Sequence, residues 1–462
     1  MSVALGSPRR PADAPAEQPG PGAGRSLAVA LLGFFVITLD ALVVNVALPA
    51  IGRELGGGMT ALVWVVDAYT LMFAALLLFG GTLSDRIGAR RAYGAGLAVF
   101  VAASAACGLA PGIGVLVAAR LAQGAGAAVM LPASLALIRE AYPDPAERAR
   151  AIALWAIGGG VASAAGPVVG GFVSLLSWRM IFFVNLPVGA LALHLLSRVR
   201  RSRGRAVPFD WVGQAAAVLG MGALVYGLVE GGAEGFAAPR VVGALAVAVA
   251  GLAAFLVAQV RGAHPMVPLG LFRSRPVVVS LSVGFAFVAG FYGLVFLFSL
   301  YLQEVRGLSS LATGLVFLPM TALAASMNLM AVWVAARFGA RVPMAAGQFL
   351  MAAGLLGLCV AAAGAPTWLL AALMVPVGIG AALSIPAMTA LLMNSAPAER
   401  AGTASGVLNT CRQLGGALAI AVFGALVANR ETFLQGIRVS LVIAALLVLV
   451  TAAASLSLRA RT

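Results

Sequence analysis

The chain is a succession of fourteen apolar runs separated by short polar or charged breaks, and this rhythm limits it to one kind of architecture. The first run, LAVALLGFFVITLDALVVNVALP from Leu27 to Pro49, is long enough at ~1.5 Å per residue to cross a hydrocarbon core of about 30 Å. Within a bilayer each such segment must satisfy its own backbone hydrogen bonds, which makes it a helix. The expected fold class is an all-α polytopic membrane protein with 14 transmembrane helices. A hydrophobic share of 62% and a charged share of 10% exclude an ordinary soluble domain.

A net charge of +15 would suggest nucleic acid in a soluble protein, but here the basic residues lie in short loops between apolar runs, where they set topology. No nucleic-acid partner is expected. With the N-terminus in the cytoplasm, 22 Arg fall in inner loops and tails, six in outer loops, and two, Arg120 and Arg412, inside runs. The positive-inside rule then places both termini in the cytoplasm, in agreement with an even number of spans. All 30 basic residues are Arg, a coding bias that points to a GC-rich bacterium. Cys107, Cys359 and Cys411 all sit in apolar runs, so neither a disulfide framework nor a metal site is expected.

Three segments recur in the same order. GAGAAVMLPA at 124–133 returns as GIGAALSIPA at 378–387, PAERA at 145–149 returns at 397–401, and RIGAR at 86–90 returns as RFGAR at 337–341. The near-constant offsets of 254, 252 and 251 residues imply two homologous six-helix halves. The expected layout is a disordered cytoplasmic tail over 1–24, rich in Pro, Ala and Gly, and an N-terminal half over 25–200. An Arg-rich cytoplasmic linker over 201–208 leads to two inserted transmembrane helices over 209–262. A C-terminal half with a short cytoplasmic tail occupies 263–462. Parallel repeats of this kind build transporters whose cargo site lies between the halves near the midplane.

Asp40 lies well inside the first run, and an Asp at the centre of a membrane helix costs roughly 2.5 to 3.5 kcal/mol on insertion scales. Counting residues, Asp40 lies roughly 11 Å below the outer edge of the core, Asp67 roughly 8 Å and Arg120 roughly 10 Å, so the three can meet if they face one another. A guanidinium favours the ionised carboxylate and loss of water opposes it, so a change in water access could switch a buried acid between holding and releasing a proton. A purely structural Asp40–Arg120 pair is the alternative; the second acid at the same level favours proton coupling by Asp40, Asp67 and Arg120. Asn45, Gln123, Asn328, Asn409, Arg412 and Gln413 are the candidate cavity and cargo residues, with Asn409, Arg412 and Gln413 on one helical face. Two buried acids offset by two buried Arg lead to an expected preference for neutral or monocationic cargo.

The loop GGTLSDRIGARR at 80–91 places Gly81 and Gly88 where close approach and a tight turn are needed, beside Asp85, Arg86 and Arg90 at the inner surface. The fifth run carries GPVVGG, with Gly166, Pro167, Gly170 and Gly171, small residues that permit close helix packing beside a proline that favours a bend. These segments, with ARLAQGAGAAVMLP around Arg120, LDALVVNVALP, WVVDAYTL, WRMIFFVNLP and NTCRQLGGALAIAVFG, resemble the major facilitator superfamily. The match is to its drug:proton antiporter class and the fourteen-helix, multidrug-efflux branch. The resemblance implies the major facilitator fold, an inner-gate role for the 80–91 loop and an antiporter motif in the fifth span. The second copy of the loop has Ala336 where Asp85 would correspond, which departs from a charge relay in that half.

The expected function is a proton-coupled antiporter that exports amphipathic drugs, dyes or natural products across the cytoplasmic membrane; the alternative is a dedicated exporter of one metabolite or antibiotic. A polytopic enzyme or a channel is more remote: the sequence has no HExxH, GxSxG or Walker-type loop. No cofactor or metal is expected. The partners are small-molecule cargo, protons and the lipid bilayer; the oligomeric state is open, and a monomer is compatible with the sequence.

Overall fold

The computed structural model describes residues 22–204, 208–362, 364–396 and 401–458, and every element among them is helical. The first half comprises α1 (Ala23–Leu55), α2 (Gly58–Ile87), α3 (Ala89–Gly108), α4 (Ile113–Ala141), α5 (Pro145–Val173) and α6 (Met180–Ser197). The inserted pair is α7 (Trp211–Glu234) and α8 (Pro239–Arg261). The second half comprises α9 (Arg275–Leu300, continued by a π turn over Tyr301–Val305), α10 (Ser310–Phe338), α11 (Arg341–Ala361), α12 (Thr367–Ser395), α13 (Ala401–Leu426) and α14 (Phe433–Leu456). Among the described residues thirteen spans are long and apolar enough to cross a membrane, and α10 makes a fourteenth.

α1 overruns its apolar run, Leu27 to Pro49, by at least one turn at each end. α5 begins at Pro145, where Asp144 caps it by accepting hydrogen bonds from the Ala146 and Glu147 amides at 3.0 and 2.8 Å. α1 begins at Ala23, inside the tail expected over 1–24; residues 1–21 of that tail lie outside the described residues, as do 205–207 of the linker and 397–400 of the second PAERA copy.

The sequence repeat is a packing repeat. A Cβ on Gly124 would come within 2.3 Å of the Tyr69 carbonyl oxygen in α2, and one on Gly378 within 2.4 Å of the Met320 carbonyl oxygen in α10. Gly126 meets Gly96 of α3 as Gly380 meets Gly347 of α11, so α4 and α12 each press bare backbone against two neighbours. The turns repeat as well: Gly88 and Gly339 both adopt positive φ, at 88° and 77°.

The halves meet along three lines. At the α5–α10 contact, the Thr321 hydroxyl donates to the Ala164 carbonyl at 3.3 Å, and Gly314 lies against the Pro167 carbonyl. At the α2–α13 contact, Gly424 lies against Val63 and Gly406 against Leu78. The third line runs from the π turn after α9 to α1, where Gln303 Nε2 donates to the Val46 carbonyl at 2.9 Å. The inserted pair leans on the second line. α7 donates from Gln214 to the Ala75 carbonyl of α2 at 2.9 Å, accepts from Trp64 through Glu230 at 3.2 Å, and packs Gly232 against Ala425 of α13. α8 packs on α7, with Gly251 against Gly220 and Leu245 against Gly227, and fully buries only Val241, Ala248 and Gln259.

Candidate functional site

Asp40 and Arg120 form an ion pair in which neither side chain has any exposure. α1 delivers Asp40, and α4 delivers Arg120 and, one turn on, Gln123. The second Asp40 oxygen accepts from Gln123 Nε2 and from Asn185 Nδ2 of α6, each at 2.8 Å. Arg120 also donates to Gln123 Oε1 at 2.8 Å and, through Nε, to the Val65 carbonyl at 3.0 Å. Its guanidinium carbon lies 4.4 Å from the Tyr69 ring centroid, a cation–π position, while Nη2 has no hydrogen-bond partner among the described residues. Ser104 of α3 closes the cluster by accepting from Gln123 and Asn185 at 2.6 and 3.0 Å.

This arrangement is a carboxylate sealed from both aqueous phases and solvated by protein. A buried charge needs such a shell to be tolerated. Gln123, expected among the cavity residues, belongs to this cluster. Asn185, Ser104 and the Val65 carbonyl were not singled out from the sequence; an Asn within the apolar stretch at 180–196 is the signal that could have found Asn185.

Asp67 is fully buried but bonded to neither Asp40 nor Arg120. One oxygen accepts from Thr70 at 2.9 Å and the other has no partner. It lies one turn inward of Val63 and Trp64, on the face of α2 that meets α13 and α7. Asn45 turns its amide onto the Ala41 and Leu42 carbonyls at 3.1 and 3.3 Å, leaving Oδ1 without a partner.

In the second half Asn409 donates to the Ser405 carbonyl at 3.0 Å, and Arg412 reaches only Asn409 Oδ1, at 3.5 Å. Gln413 makes no hydrogen bond among the described residues. The Asn328 side chain lies outside the described residues.

At the inner surface Asp85 and Arg86 are exposed, and Arg86 lies over the Phe209 ring at 4.9 Å. Arg90 donates to the Ser197 carbonyl at 2.8 Å, capping the end of α6, and its amide donates to Ser202 at 3.0 Å. Gly88 passes under the Ser202 backbone, whereas Gly81 is loosely packed: a Cβ there would meet Pro132 only at 3.9 Å. Asp85 lines a cavity of about 690 Å³ together with Arg139, Glu140 and Arg203. In α5, a Cβ on Gly166 would meet Leu42 at 3.0 Å, one on Gly170 would meet Val43 at 2.8 Å, and one on Gly171 would meet the Ser310 carbonyl at 2.5 Å. The GPVVGG segment thus packs on α1 and on the opposite half at once.

Comparison with known proteins places these features in a family. The pattern of the Major Facilitator Superfamily matches residues 30–420. The chain is 40% identical over 400 residues to the multidrug resistance protein Stp of Mycobacterium tuberculosis, covering 86% of this chain and 74% of that one. It is 36% identical over 410 residues to the methylenomycin A resistance protein of Streptomyces coelicolor, covering 88% and 86%. The crystal structure of a POT family transporter in complex with 5-aminolevulinic acid has the same fold, with a TM-score of 0.71 at 15% identity over 94% of each chain.

Proposed function

The chain belongs to the Major Facilitator Superfamily, and from that premise we propose that it is a proton-coupled antiporter exporting amphipathic drugs, dyes or natural products across the cytoplasmic membrane. The observation that carries the proposal is the buried Asp40–Arg120 pair with its amide shell. Protonating Asp40 removes the anion that Arg120 faces, while the Val65 carbonyl, Gln123 and the Tyr69 ring remain to hold the cation. α1 carries Asp40, packs on the glycines of α5 and touches the second half at Val46. A change of charge at Asp40 therefore acts on the helix that lies on the seam between the halves. Asp67, whose free oxygen sits at the α2–α13 contact, is a second proton-accepting group in this reading. In this reading the cargo passes unchanged, as in a transporter and not an enzyme, and the concentration of Arg in alternate loops supports a cytoplasmic position for both termini.

The relative's name, methylenomycin A resistance protein, supports a narrower reading, a dedicated exporter of one antibiotic. Efflux of a panel of unrelated dyes from cells expressing the protein, with and without a proton uncoupler, separates the two. Uncoupler-sensitive efflux of several dyes supports the broad antiporter, no efflux of any dye supports the dedicated one, and dye efflux indifferent to the uncoupler contradicts both.

A further inference from the structure

The second half contains a half-buried cation with no carboxylate partner among the described residues. Its described helices hold one carboxylate, Glu304, in the π turn at the outer end of α9, and Arg412 in α13 is paired with none. Arg412 makes one long contact, 3.5 Å to Asn409 Oδ1, and its Nε has no partner. Its stem is held 3.1 Å from where a Cβ on Gly284 of α9 would sit, so the side chain has a fixed root. The residue is neither fully buried nor exposed.

The first half does not neutralise it. Asp40 is bound by Arg120, Gln123 and Asn185, and Asp67 bonds Thr70 and forms no ion pair with Arg412. The neutral Tyr292 of α9 packs on Gly416, one turn along α13 from Arg412, and partly against the core of the first half. The equal count of acids and Arg in the sequence pointed to neutral or monocationic cargo. The geometry pairs Asp40 with Arg120 and leaves Arg412, rooted against α9, without an ion-pair partner, as it leaves Asp67 on α2.

We infer that Arg412, with Asn409 and Tyr292 beside it, is the subsite for an acidic group of the cargo, a carboxylate or an acidic phenol or enol, so that amphipathic monoanions are preferred over their neutral esters. A guanidinium with free N–H groups in a partly dehydrated site gives a charge-assisted hydrogen bond to such a group and leaves an ester's carbonyl weakly held. This rests on the export reading for the direction of movement, but not for binding.

The test uses 1-pyrenebutyrate and its methyl ester with the purified full-length protein. Binding is read by quenching of tryptophan fluorescence, and movement by proton-driven uptake into proteoliposomes. The wild type is expected to bind the acid at least fivefold more tightly than the ester; Arg412→Gln is expected to bring that ratio to about one, and Arg412→Lys to keep an intermediate ratio. Equal affinity of the wild type for acid and ester overturns the inference, as does an acid preference that survives Arg412→Gln. If Arg412→Gln does not insert, an undiminished acid preference in Arg412→Lys together with no preference for the acid over 1-pyrenebutyltrimethylammonium in the wild type overturns it equally. Preferential binding of the acid without proton-driven uptake of either probe supports the subsite and contradicts the antiporter reading. Proton-driven uptake without an acid preference does the reverse.

Discussion

Asn185 of α6 donates to the same Asp40 oxygen as Gln123 does, so the carboxylate that faces Arg120 is gripped from two helices, α4 and α6. Breaking a buried ion pair by removing one partner costs about 3–5 kcal/mol, because the other charge is stranded. Arg120→Ala is therefore expected to reduce the yield of folded protein sharply. Asn185→Ala removes one hydrogen bond to a charged group and is expected to cost about 1–3 kcal/mol. Thermal unfolding of the purified variants in one detergent checks the order Arg120→Ala, then Asn185→Ala, then wild type; an Asn185→Ala variant as stable as wild type would show that the amide contributes nothing.

The glycines of α5 differ in what a side chain would strike. Gly171→Ala places a methyl 2.5 Å from the Ser310 carbonyl across the seam, and Gly170→Ala places one 2.8 Å from Val43 of α1, while Gly160 has open space around it. Efflux is expected to fall several-fold with either of the first two changes and to be unaffected by Gly160→Ala. Equal efflux from all three at equal expression would reduce GPVVGG to background packing.

Asp85 is exposed and forms no ion pair among the described residues, so Asp85→Asn is expected to alter stability by less than about 0.5 kcal/mol. If its contacts form only when the inner side closes, the same change impairs transport. The expected result is an unchanged melting temperature with reduced efflux. Normal efflux at normal expression contradicts the gate assignment.

Glu230 ties the inserted pair to α2 through Trp64. Glu230→Ala is expected to loosen α7 and α8, read as faster protease cleavage in the 201–208 linker, with wild-type cleavage as the contrary result.

Much of this was legible in the sequence, for identifiable reasons. Hydropathy located the spans, and constant offsets located the paired glycines, since a small residue at a fixed position reflects a backbone that comes close in both halves. Depth arithmetic put Asp40 at the level of Arg120, where they do pair. The same arithmetic put Asp67 at their level but says nothing about direction around the helix. Val65, whose carbonyl holds Arg120, and Asp67 are two residues apart and so roughly 200° apart on α2. Glu230 was missed because the apolar run stops at 229 whereas α7 continues to Glu234. Asn185 was missed because a single amide in an apolar stretch carries no periodicity.

The claim that Asp40 carries the coupled proton is tested most directly by dye uptake into inverted vesicles under an imposed proton gradient, comparing wild type with Asp40→Asn. The substitution keeps size and hydrogen-bonding capacity and removes the titrating group. The account predicts that Asp40→Asn inserts and binds dye yet shows no proton-driven accumulation; accumulation at the wild-type rate would contradict it.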